Sequence, residues 1–555
     1  MKLVECVPNF SEGRDRKVID AIAAAIASVE GVRLLDVDPG AATNRTVFTF
    51  VGPMQAVAQA AFLSIEASAS LIDMPSHKGA HPRLGAADVV PFVPLGATTL
   101  AECVDLARSL GRRVGEDLEI PVYLYEAAAT RPERRSLSEI RKGEYEGLAN
   151  RLKHPDGAPD FGPARPHPRA GATVIGAREF LIAYNVNLNT RDKKLATLIA
   201  QNIRETGRPK RGADGKIMKD SAGQTVTEPG PSMLAATRAT GWYIEEYGRA
   251  QVSINLTDFK TTPPHRAFAA VETEAAKLGL RVTGSEVVGL IPLEAVRMAG
   301  RDALLRQGKC PAATDTELIH LARMSLGLDE VSGFDPDRKI IERSVAPPGA
   351  LSRGTVQALA AGVASATPAP GGGSVAALCG SLSAALSAMV AAISYEHKGY
   401  EARRESLARL GEEAQSLCTQ MLAAMDEDTA AFNRLMEANR MPRATGPERA
   451  ARDEAVRETT RGAIDVPLAV MRQALRALEL AEQIASAGAQ TALSDAGVAA
   501  LAAAAAVEGA YYNVRINLRG LADPSASPIQ TDAAALMARM AEIRERVGRM
   551  ISNAL

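Results

Sequence analysis

Two of the chain's 7 histidines lie four residues apart, in the segment SHKGAHPR at positions 76–83. An i,i+4 pair can bind a metal from one face of a helix, but Gly79 and Pro82 disfavour helical backbone here, and the glutamate of the zinc-protease helix motif is absent. The segment therefore predicts a loop that presents a neutral imidazole as a proton carrier, beside cationic side chains that could bind a carboxylate. A solvated basic loop with a structural histidine, and a metal site built from His77 and His81, are the alternatives.

A carboxylate partner for His81 could come from Asp38, which ends a predicted strand just before Pro39-Gly40. A hydrogen bond from the far imidazole nitrogen to that carboxylate would fix the tautomer of His81 and raise its basicity. An aspartate that caps the turn before Pro-Gly is an equally good interpretation. The residue pattern leaves both open.

The elements that must position these residues read as an α/β layer structure, because residues 1–178 alternate short β-like runs with longer helical runs. His81 falls in the loop between a predicted helix at 54–71 and a predicted strand that begins at 88, and a rigid sheet can hold an active-site residue on such a loop. Residues 179–330 follow the strand, helix, strand, strand, helix, strand order of a ferredoxin-like unit. Asn185 and Asn187 share one face of its first strand, either as satisfied polar residues or as partners for a pterin ring.

The character of the chain changes after a Pro- and Gly-rich linker, predicted at 331–350. From 351 to 555 the sequence is Ala-rich with a 3.6-residue period, which predicts a separate helical bundle. The expected fold is therefore multidomain, with two α/β subdomains built on ferredoxin-like, mixed sheets (1–178 and 179–330), followed by an all-α domain.

A glycine-rich loop, PAPGGGS at 368–374, leads directly into an apolar helix of the second half. Such a loop points free backbone N–H groups at an anion, with support from the helix dipole, although the lysine of a phosphate loop is missing. A flexible hinge is the alternative. The residues of this candidate anion site are Gly371, Gly372, Gly373 and Ser374.

Polar residues within the predicted helices form a second set of candidates. The run Asp426-Glu427-Asp428 lies in an amphipathic helix, where acidic clusters are usually solvated. Asp495 and Asn513 bring polar groups into Ala-rich segments that should be buried, so they imply an internal network or a ligand pocket.

The amino-acid composition of the chain limits the classes of partner that we expect it to bind. Lys plus Arg number 64 against 65 Asp plus Glu, and aromatics are only 4%, which argues against a nucleic-acid partner. The 5 widely spaced cysteines are typical of reduced thiols in a cytoplasmic protein. Residues 374–393 carry no charge over a membrane-spanning length, but their Ala, Ser and Gly content favours a helix buried in a bundle and not a membrane partner.

The string SHKGAHPRLGAADVVPFVP resembles the active-site segment of glutamate formimidoyltransferases. In that family the histidine of the H-P-R triplet is catalytic, which assigns the role to His81. The stretch LLDVDPGAATNRTV matches the family's D-V-D and T-N-R-T-V pattern and favours Asp38 as a further catalytic residue.

The stretch FGPARPHPRAGATVIGAR resembles the folate-binding segment of the same enzymes. Its glycines would let a flat ring lie close to the backbone, and its last arginine could meet a carboxylate. The substrate- and folate-binding residues expected in this half are Arg83, Gly162, Pro163, Gly171, Ala172, Thr173, Arg178, Asn185 and Asn187.

In the helical half, the motifs A-P-G-G-G-S, D-x-D-x-x-A-F, S-D and Y-x-N-V-x-I-N-L together resemble the cyclodeaminase and cyclohydrolase family of folate enzymes. The second carboxylate of D-x-D is catalytic in that family, which points to Asp428. The binding residues expected here are Gly371, Gly372, Gly373, Ser374, Asp495 and Asn513.

Together, the two halves resemble the bifunctional formimidoyltransferase-cyclodeaminases of histidine degradation. The resemblance implies N-formimino-L-glutamate as donor, a (poly)glutamylated tetrahydrofolate as co-substrate, no metal, and a homo-oligomer. His81 would move protons during transfer, and Asp428, with a pKa raised by burial, would carry a proton to the departing ammonia. The alternatives are a transferase fused to a non-catalytic folate-binding or oligomerising helical domain, and a non-enzymatic folate-binding scaffold.

Overall fold

The computed structural model describes residues 2–41, 43–79, 81–221, 223–331, 333–345, 350–519 and 526–554. These residues group into two compact units, one formed by residues up to 299 together with 322–345, the other by residues 300–321 together with those from 350 onward. The predicted linker, 331–350, includes positions 332 and 346–349, which lie outside the described residues.

The first sheet of unit one is built around an interrupted central strand, β1 and β2, with spatial order β3-β4-β1/β2-β5-β7-β6. The first six strands and helices alternate as a βαββαβ unit, and two further strands extend it in parallel with β5. The elements are β1 (Lys2–Cys6), β2 (Asn9–Phe10), α1 (Arg16–Ala27), β3 (Arg33–Gly40), β4 (Arg45–Gly52), α2 (Met54–Leu71), β5 (Ala87–Gly96), α3 (Leu100–Asp117), β6 (Val122–Glu126), α4 (Leu137–Ile140), α5 (Glu144–Arg151) and β7 (Thr173–Ala177).

Alternation along β1 decides which face of this sheet is covered by helices. Val4 and Cys6 are fully buried in the core beneath helices α1, α2 and α3, together with the apolar stripe Ile19, Ile22 and Ile26 of α1. Successive residues of a strand point to opposite faces, so Glu5 points to the other face. That face is buried as well, since Glu5 is only 3% exposed.

The second sheet has the order β11-β12-β8-β13 and is antiparallel at every pairing. With its helices it forms the ferredoxin-like βαββαβ unit that the sequence predicted. The elements are β8 (Ile182–Leu188), α6 (Lys193–Ile203), β9 (Arg208–Pro209), β10 (Thr227–Glu228), β11 (Thr237–Ile244), β12 (Arg249–Leu256), α7 (Pro264–Lys277) and β13 (Val282–Val288), followed by α8 (Leu293–Arg306), α9 (Asp315–Leu326), α10 (Pro336–Lys339) and α11 (Ile341–Ser344).

Residues 210–221 and 223–226 are mostly exposed, and backbone hydrogen bonds connect them. The amide of Lys210 donates to the Val226 carbonyl at 2.8 Å, and the amide of Met218 donates to the Lys210 carbonyl at 2.9 Å. The segment therefore extends the short β9–β10 ladder outward. The sequence did not indicate this ladder, because few of its side chains are buried and hydrophobic residues therefore do not alternate along it.

The described residues of the helical unit contain no strand, as predicted. Its core is made largely of small side chains, including Ala384, Ala388, Ala503 and Ala506, which let α13 pack closely against α14, α15 and α16. The helices are α12 (Val356–Ala364), α13 (Gly372–Glu396), α14 (Arg404–Arg440), α15 (Gly446–Ala487), α16 (Leu493–Leu518) and α17 (Ala526–Ala554). Both halves thus have the predicted fold class.

Two helical segments of this unit, 372–396 and 490–518, are long and apolar enough to cross a membrane by length and composition alone. Their most apolar windows are 56% and 50% buried inside the structure. The core helices of bundles pass the same test, so this is weak evidence for a span.

Candidate active sites

The predicted catalytic loop lies between α2 and β5, as expected, and the backbone of its neighbours holds it in place. The amide of Met74 donates to the Arg169 carbonyl at 2.9 Å, and the amide of Ala86 donates to the Ala170 carbonyl at 2.9 Å. Within the loop, Nδ1 of His81 lies 2.8 Å from the carbonyl oxygen of Pro82. Since a carbonyl only accepts, Nδ1 carries the proton and Nε2 keeps its lone pair.

His81 is held in its neutral form. Burial first, and then the positive charges of Arg45 and Arg141, lower the pKa of its imidazole to about 4, against the smaller opposing effects of the Pro82 carbonyl and Asp88. A neutral ring with a free Nε2 is a proton acceptor at physiological pH.

A buried carboxylate, Asp88 at the start of β5, organises the cations beside His81. Asp88 is fully buried and accepts from Arg45 Nη1 at 2.5 Å, from Arg141 Nη2, and from the Leu84 amide at 2.8 Å. The two guanidinium groups hold the pKa of Asp88 below its usual value despite the burial. One carboxylate therefore ties β4, β5 and the end of α4 to the backbone just after His81.

Asp38 does not make the predicted hydrogen bond to His81, because the Pro82 carbonyl already takes the proton of Nδ1. Asp38 lies on the edge strand β3, and its carboxylate neighbours are Asp36 and Glu286. Burial first, and then these two carboxylates, raise the pKa of Asp38. The position of Asp38 directly before the Pro-Gly turn did not indicate that β3 would lie near Glu286.

Arg83, predicted to bind substrate, is occupied by the protein itself. Its Nε donates to His77 Nδ1, its Nη1 to Glu144 and Glu146, and its Nη2 to the His77 carbonyl and to Glu146, at 2.6–3.2 Å. A guanidinium has five N–H donors, and all five are used. Arg83 therefore anchors the loop to α5 and has no donor left for a ligand.

His77 is also engaged at both ring nitrogens, since Nδ1 accepts from Arg83 and Nε2 lies 3.1 Å from the Asn44 carbonyl. It has no lone pair to offer a metal in this arrangement. Across the described part of the chain, no group of three or more His, Cys, Asp and Glu side chains is placed to hold a metal ion.

The predicted folate-binding segment borders the His81 loop, but its glycines are needed for packing. Gly162 and Gly171 have φ values of +80° and +73°, and a Cβ would lie 2.4 Å from the Ile120 carbonyl oxygen or 2.6 Å from the Leu84 carbonyl oxygen. They are thus closed off by protein backbone rather than open to a ring. Ala172 and Thr173 are buried in the sheet, with the Thr173 hydroxyl unpaired, whereas Pro163 is half-buried.

Arg178 follows the far end of β7, about 16 Å from Thr173 by the rise of an extended strand. It donates to the Tyr125 hydroxyl and sits near the buried carboxyl of Glu5. Burial raises the pKa of Glu5 to about 7, against the opposing effect of Arg178. Arg178 is therefore grouped with Tyr125 and Glu5, and Tyr125 in turn lies within electrostatic range of Arg141.

Asn185 and Asn187 belong to a satisfied network on one face of the second sheet. Asn185 donates to Glu286 at 3.0 Å, Asn187 donates to Glu330 at 2.6 Å, and Gln251 donates to Asn187 at 2.6 Å and to Glu286 at 3.0 Å. This matches the first of the two interpretations, in which protein groups satisfy both amides.

In the helical unit, the carboxylate of Asp428 on α14 meets the N-terminus of α13. The Ser374 hydroxyl donates to Asp428 Oδ2 at 3.0 Å, and the Ser374 amide donates to the same carboxylate. Burial raises the pKa of Asp428, in the predicted direction, and the Ser374 hydrogen bonds oppose it. A Cβ on Gly373 would lie 2.1 Å from Asp428 Oδ1, so this approach requires glycine.

The three acidic residues of the run 426–428 on α14 have three different environments. Asp426 accepts from the Leu351 amide at 2.6 Å and from the Ser352 hydroxyl at 2.5 Å, whereas Glu427 forms an exposed ion pair with Arg434. Only Asp428 faces the glycine loop. Successive helical residues are about 100° apart around the axis, so one acidic run serves three surroundings.

The last two predicted binding residues, Asn513 and Asp495, lie in different places in the helical unit. Asn513 donates to the Gly509 carbonyl at 2.8 Å and lies beside Gly372, so it borders the Asp428 site. Asp495 is in the first turn of the same helix, α16. Eighteen residues at 1.5 Å each place it about 27 Å away, which is too far to share that site within one chain.

Four site residues were not identified from the sequence. They are Arg45, Asp88, Arg141 and Thr429, and the last of these is a hydrogen-bond partner of Ser374. A signal existed for Asp88, since a lone carboxylate stands inside the apolar run AADVVPFVP and must have a buried partner. The identity of that partner depends on strand order, which the sequence pattern does not give.

We expect a carbon-13 histidine NMR titration to place the pKa of His81 near 4, well below 6.5, because burial and two guanidinium groups disfavour its charged form. The His81→Gln variant identifies the resonance by its absence. A midpoint between pH 6 and 7 for that resonance would contradict the arrangement described.

Comparison with known proteins finds matches for both halves of the chain. Residues 3–178, 183–346 and 355–535 match the family models described as formiminotransferase domain, N-terminal subdomain; formiminotransferase domain; and formiminotransferase-cyclodeaminase. The formimidoyltransferase-cyclodeaminase of Mus musculus is 41% identical over 94% of this chain and 93% of its own length.

Single-function relatives cover each half. The glutamate formimidoyltransferase of Thermoplasma acidophilum is 46% identical over 53% of this chain and 90% of its own length. The methenyltetrahydrofolate cyclohydrolase of Methylorubrum extorquens is 34% identical over 36% of this chain and 96% of its own length. The chain, similar over nearly its whole length to the Mus musculus relative, belongs to the formimidoyltransferase-cyclodeaminase family.

Proposed function

We propose that this chain catalyses two consecutive steps of histidine degradation. In the first, N5 of tetrahydrofolate attacks the formimino carbon of N-formimino-L-glutamate and glutamate leaves. In the second, N10 of the same folate attacks that carbon, ammonia leaves, and 5,10-methenyltetrahydrofolate forms. The observation that carries the proposal is that one chain, alike over nearly its whole length to the bifunctional relative, holds a neutral His81 in one half and a buried Asp428 in the other.

In the transfer step, Nε2 of His81 accepts the proton that N5 loses as it attacks. The imidazolium so formed then gives its proton to the glutamate nitrogen, because an amine leaves poorly unless it is protonated. The charges of Arg45 and Arg141 disfavour the imidazolium, so the proton is readily released.

In the cyclisation step, Asp428 carries the proton between the attacking N10 and the departing nitrogen. A carboxyl with a raised pKa is the better acid for this task near neutral pH. The amide and hydroxyl of Ser374 hold the carboxylate in position when it has lost its proton.

Two substitutions test the assignment of both steps. His81→Ala should abolish glutamate release from formiminoglutamate but leave ammonia release from 5-formiminotetrahydrofolate intact. Asp428→Asn should do the reverse. The matched controls are His154→Ala, an exposed histidine, and Glu427→Gln, which removes an exposed ion pair one residue away. Unchanged ammonia release in Asp428→Asn would favour a transferase fused to a non-catalytic helical domain.

A pair of glycine variants tests the approach of Asp428 to the loop. In Gly373→Ala the new Cβ would lie 2.1 Å from Asp428 Oδ1, so the carboxylate must move and ammonia release should fall at least tenfold. In Gly372→Ala the nearest atom is Asn513 Nδ2 at 3.6 Å, an ordinary contact, and activity should stay within about twofold. Equal activity of the two variants would argue against this geometry.

We further propose a cytoplasmic homo-oligomer that uses (poly)glutamylated tetrahydrofolate. All 5 cysteines are free thiols, which supports a reducing compartment, and cell fractionation would test it.

Support for self-association comes from exposed apolar side chains on two neighbouring helices: Val375, Leu382 and Met389 at seven-residue spacing on α13, and Leu501, Tyr512 and Ile516 on α16. A second copy can cover such apolar side chains with the same side chains of its own.

The double variant Leu382→Glu, Met389→Glu should shift the protein toward smaller species in sedimentation velocity, because charge would be buried in the contact. Glutamate at two exposed polar positions of α14, Gln420 and Asn433, is the control, and it should leave the sedimentation coefficient unchanged. Identical sedimentation of both variants would place the contact elsewhere.

A further inference from the structure

The donor of the formimino group carries two carboxylates, and Arg83 has no N–H donor left to bind either of them. The cation that was expected to hold the substrate is thus part of the scaffold. Its two acidic partners, Glu144 and Glu146, share its single positive charge. A carboxylate bound beside His81 must therefore find other donors.

Arg141 and Arg45 retain unused donors next to His81. Arg141 pairs with Asp88 through Nη2, its Nε is buried without a partner, and its Nη1 has no acceptor among the described residues. Arg45 uses Nε for Asn9 at 3.0 Å and Nη1 for Asp88, and its Nη2 has no acceptor among the same residues. The side chains are 13% and 9% exposed, so each is nearly buried yet still reaches the surface of the site.

The charges of this cluster do not balance. Two guanidinium groups share the single carboxylate of Asp88, which leaves one positive charge in a largely buried place. Uncompensated charge is costly there, and an anion that enters beside it is bound strongly. Both arginines lower the pKa of His81, so the excess charge lies close to the reacting group.

In formiminoglutamate the α-carboxylate is joined to the carbon that bears the leaving nitrogen. When His81 delivers a proton to that nitrogen, the α-carboxylate lies two bonds away. Any group that binds it must therefore lie beside His81, as Arg45 and Arg141 do. The γ-carboxylate, on a flexible side chain, is under no such constraint.

We propose that Arg141 and Arg45, oriented by Asp88, bind the α-carboxylate of formiminoglutamate through their free Nη donors, one to each oxygen. They select a donor whose leaving nitrogen is that of an α-amino acid. Asp88 is a positioning residue, since it touches only the two arginines and the Leu84 amide. The inference rests on the proposed transfer step at His81.

The test compares two donors, formiminoglutamate and the formimino derivative of 4-aminobutyrate, which lacks the α-carboxylate. Amine release with tetrahydrofolate gives kcat/KM for each. We expect the wild type to prefer formiminoglutamate by about 10- to 100-fold, the size of a charge-assisted contact. Arg141→Met should lower kcat/KM for formiminoglutamate about 10- to 100-fold more than it lowers kcat/KM for the analogue, so the preference collapses. Arg141→Lys, which keeps the charge, should retain part of it.

Arg83→Met is the matched control, because it removes a nearby arginine whose donors all serve the protein. It should lower kcat/KM for both donors by the same factor and leave the preference for formiminoglutamate intact. Equal losses for both donors in Arg141→Met, with circular dichroism unchanged, would show that Arg141 only supports the fold and would overturn the proposal. A wild type that does not turn over formiminoglutamate, or a fully active His81→Ala, would instead refute the proposed transfer step.

Discussion

The transferase half depends on one buried carboxylate. Asp88 has no exposed surface, and it joins Arg45 of β4, Arg141 after α4, and the backbone of Leu84. If it were removed, two guanidinium groups would face each other in a place with little water, which costs several kcal/mol for each unpaired buried ion. The position of the catalytic loop and the free ends of both arginines follow from this contact, and it holds beside His81 the two positive charges that add to burial in lowering its pKa.

The helical half reaches a comparable result with different means. There the carboxylate itself is the reacting group, and the amide and hydroxyl of Ser374 at the start of α13 hold it. The close contact depends on the missing side chain at Gly373. A helix terminus with unpaired N–H groups is a natural acceptor of negative charge, so no extra cation is needed to keep Asp428 in place.

Local patterns in the sequence predicted the fold well, because strand alternation, helix period and the ferredoxin-like order are all short-range signals. The loop that carries His81 and the helix that carries Asp428 were also found from their residues. Pairings between distant segments were not. The partner chosen for His81 was Asp38, whereas the structure supplies Pro82, and Arg83 was assigned to substrate although Glu144, Glu146 and His77 occupy it. Such contacts depend on which strands and helices become neighbours. The position of Asp495 was likewise not predicted, because it lies at the opposite end of α16 from Asn513.

The single tryptophan of the chain, Trp242, stands one hydrogen bond from the polar face of the second sheet. Its indole N–H donates to Gln251 at 3.0 Å, and Gln251 in turn contacts Asn187 and Glu286. All indole emission of the protein therefore originates at one position, which is hydrogen-bonded to a side chain of this network. The fold thus contains its own optical reporter, and changes in emission can be assigned to this sheet without labelling.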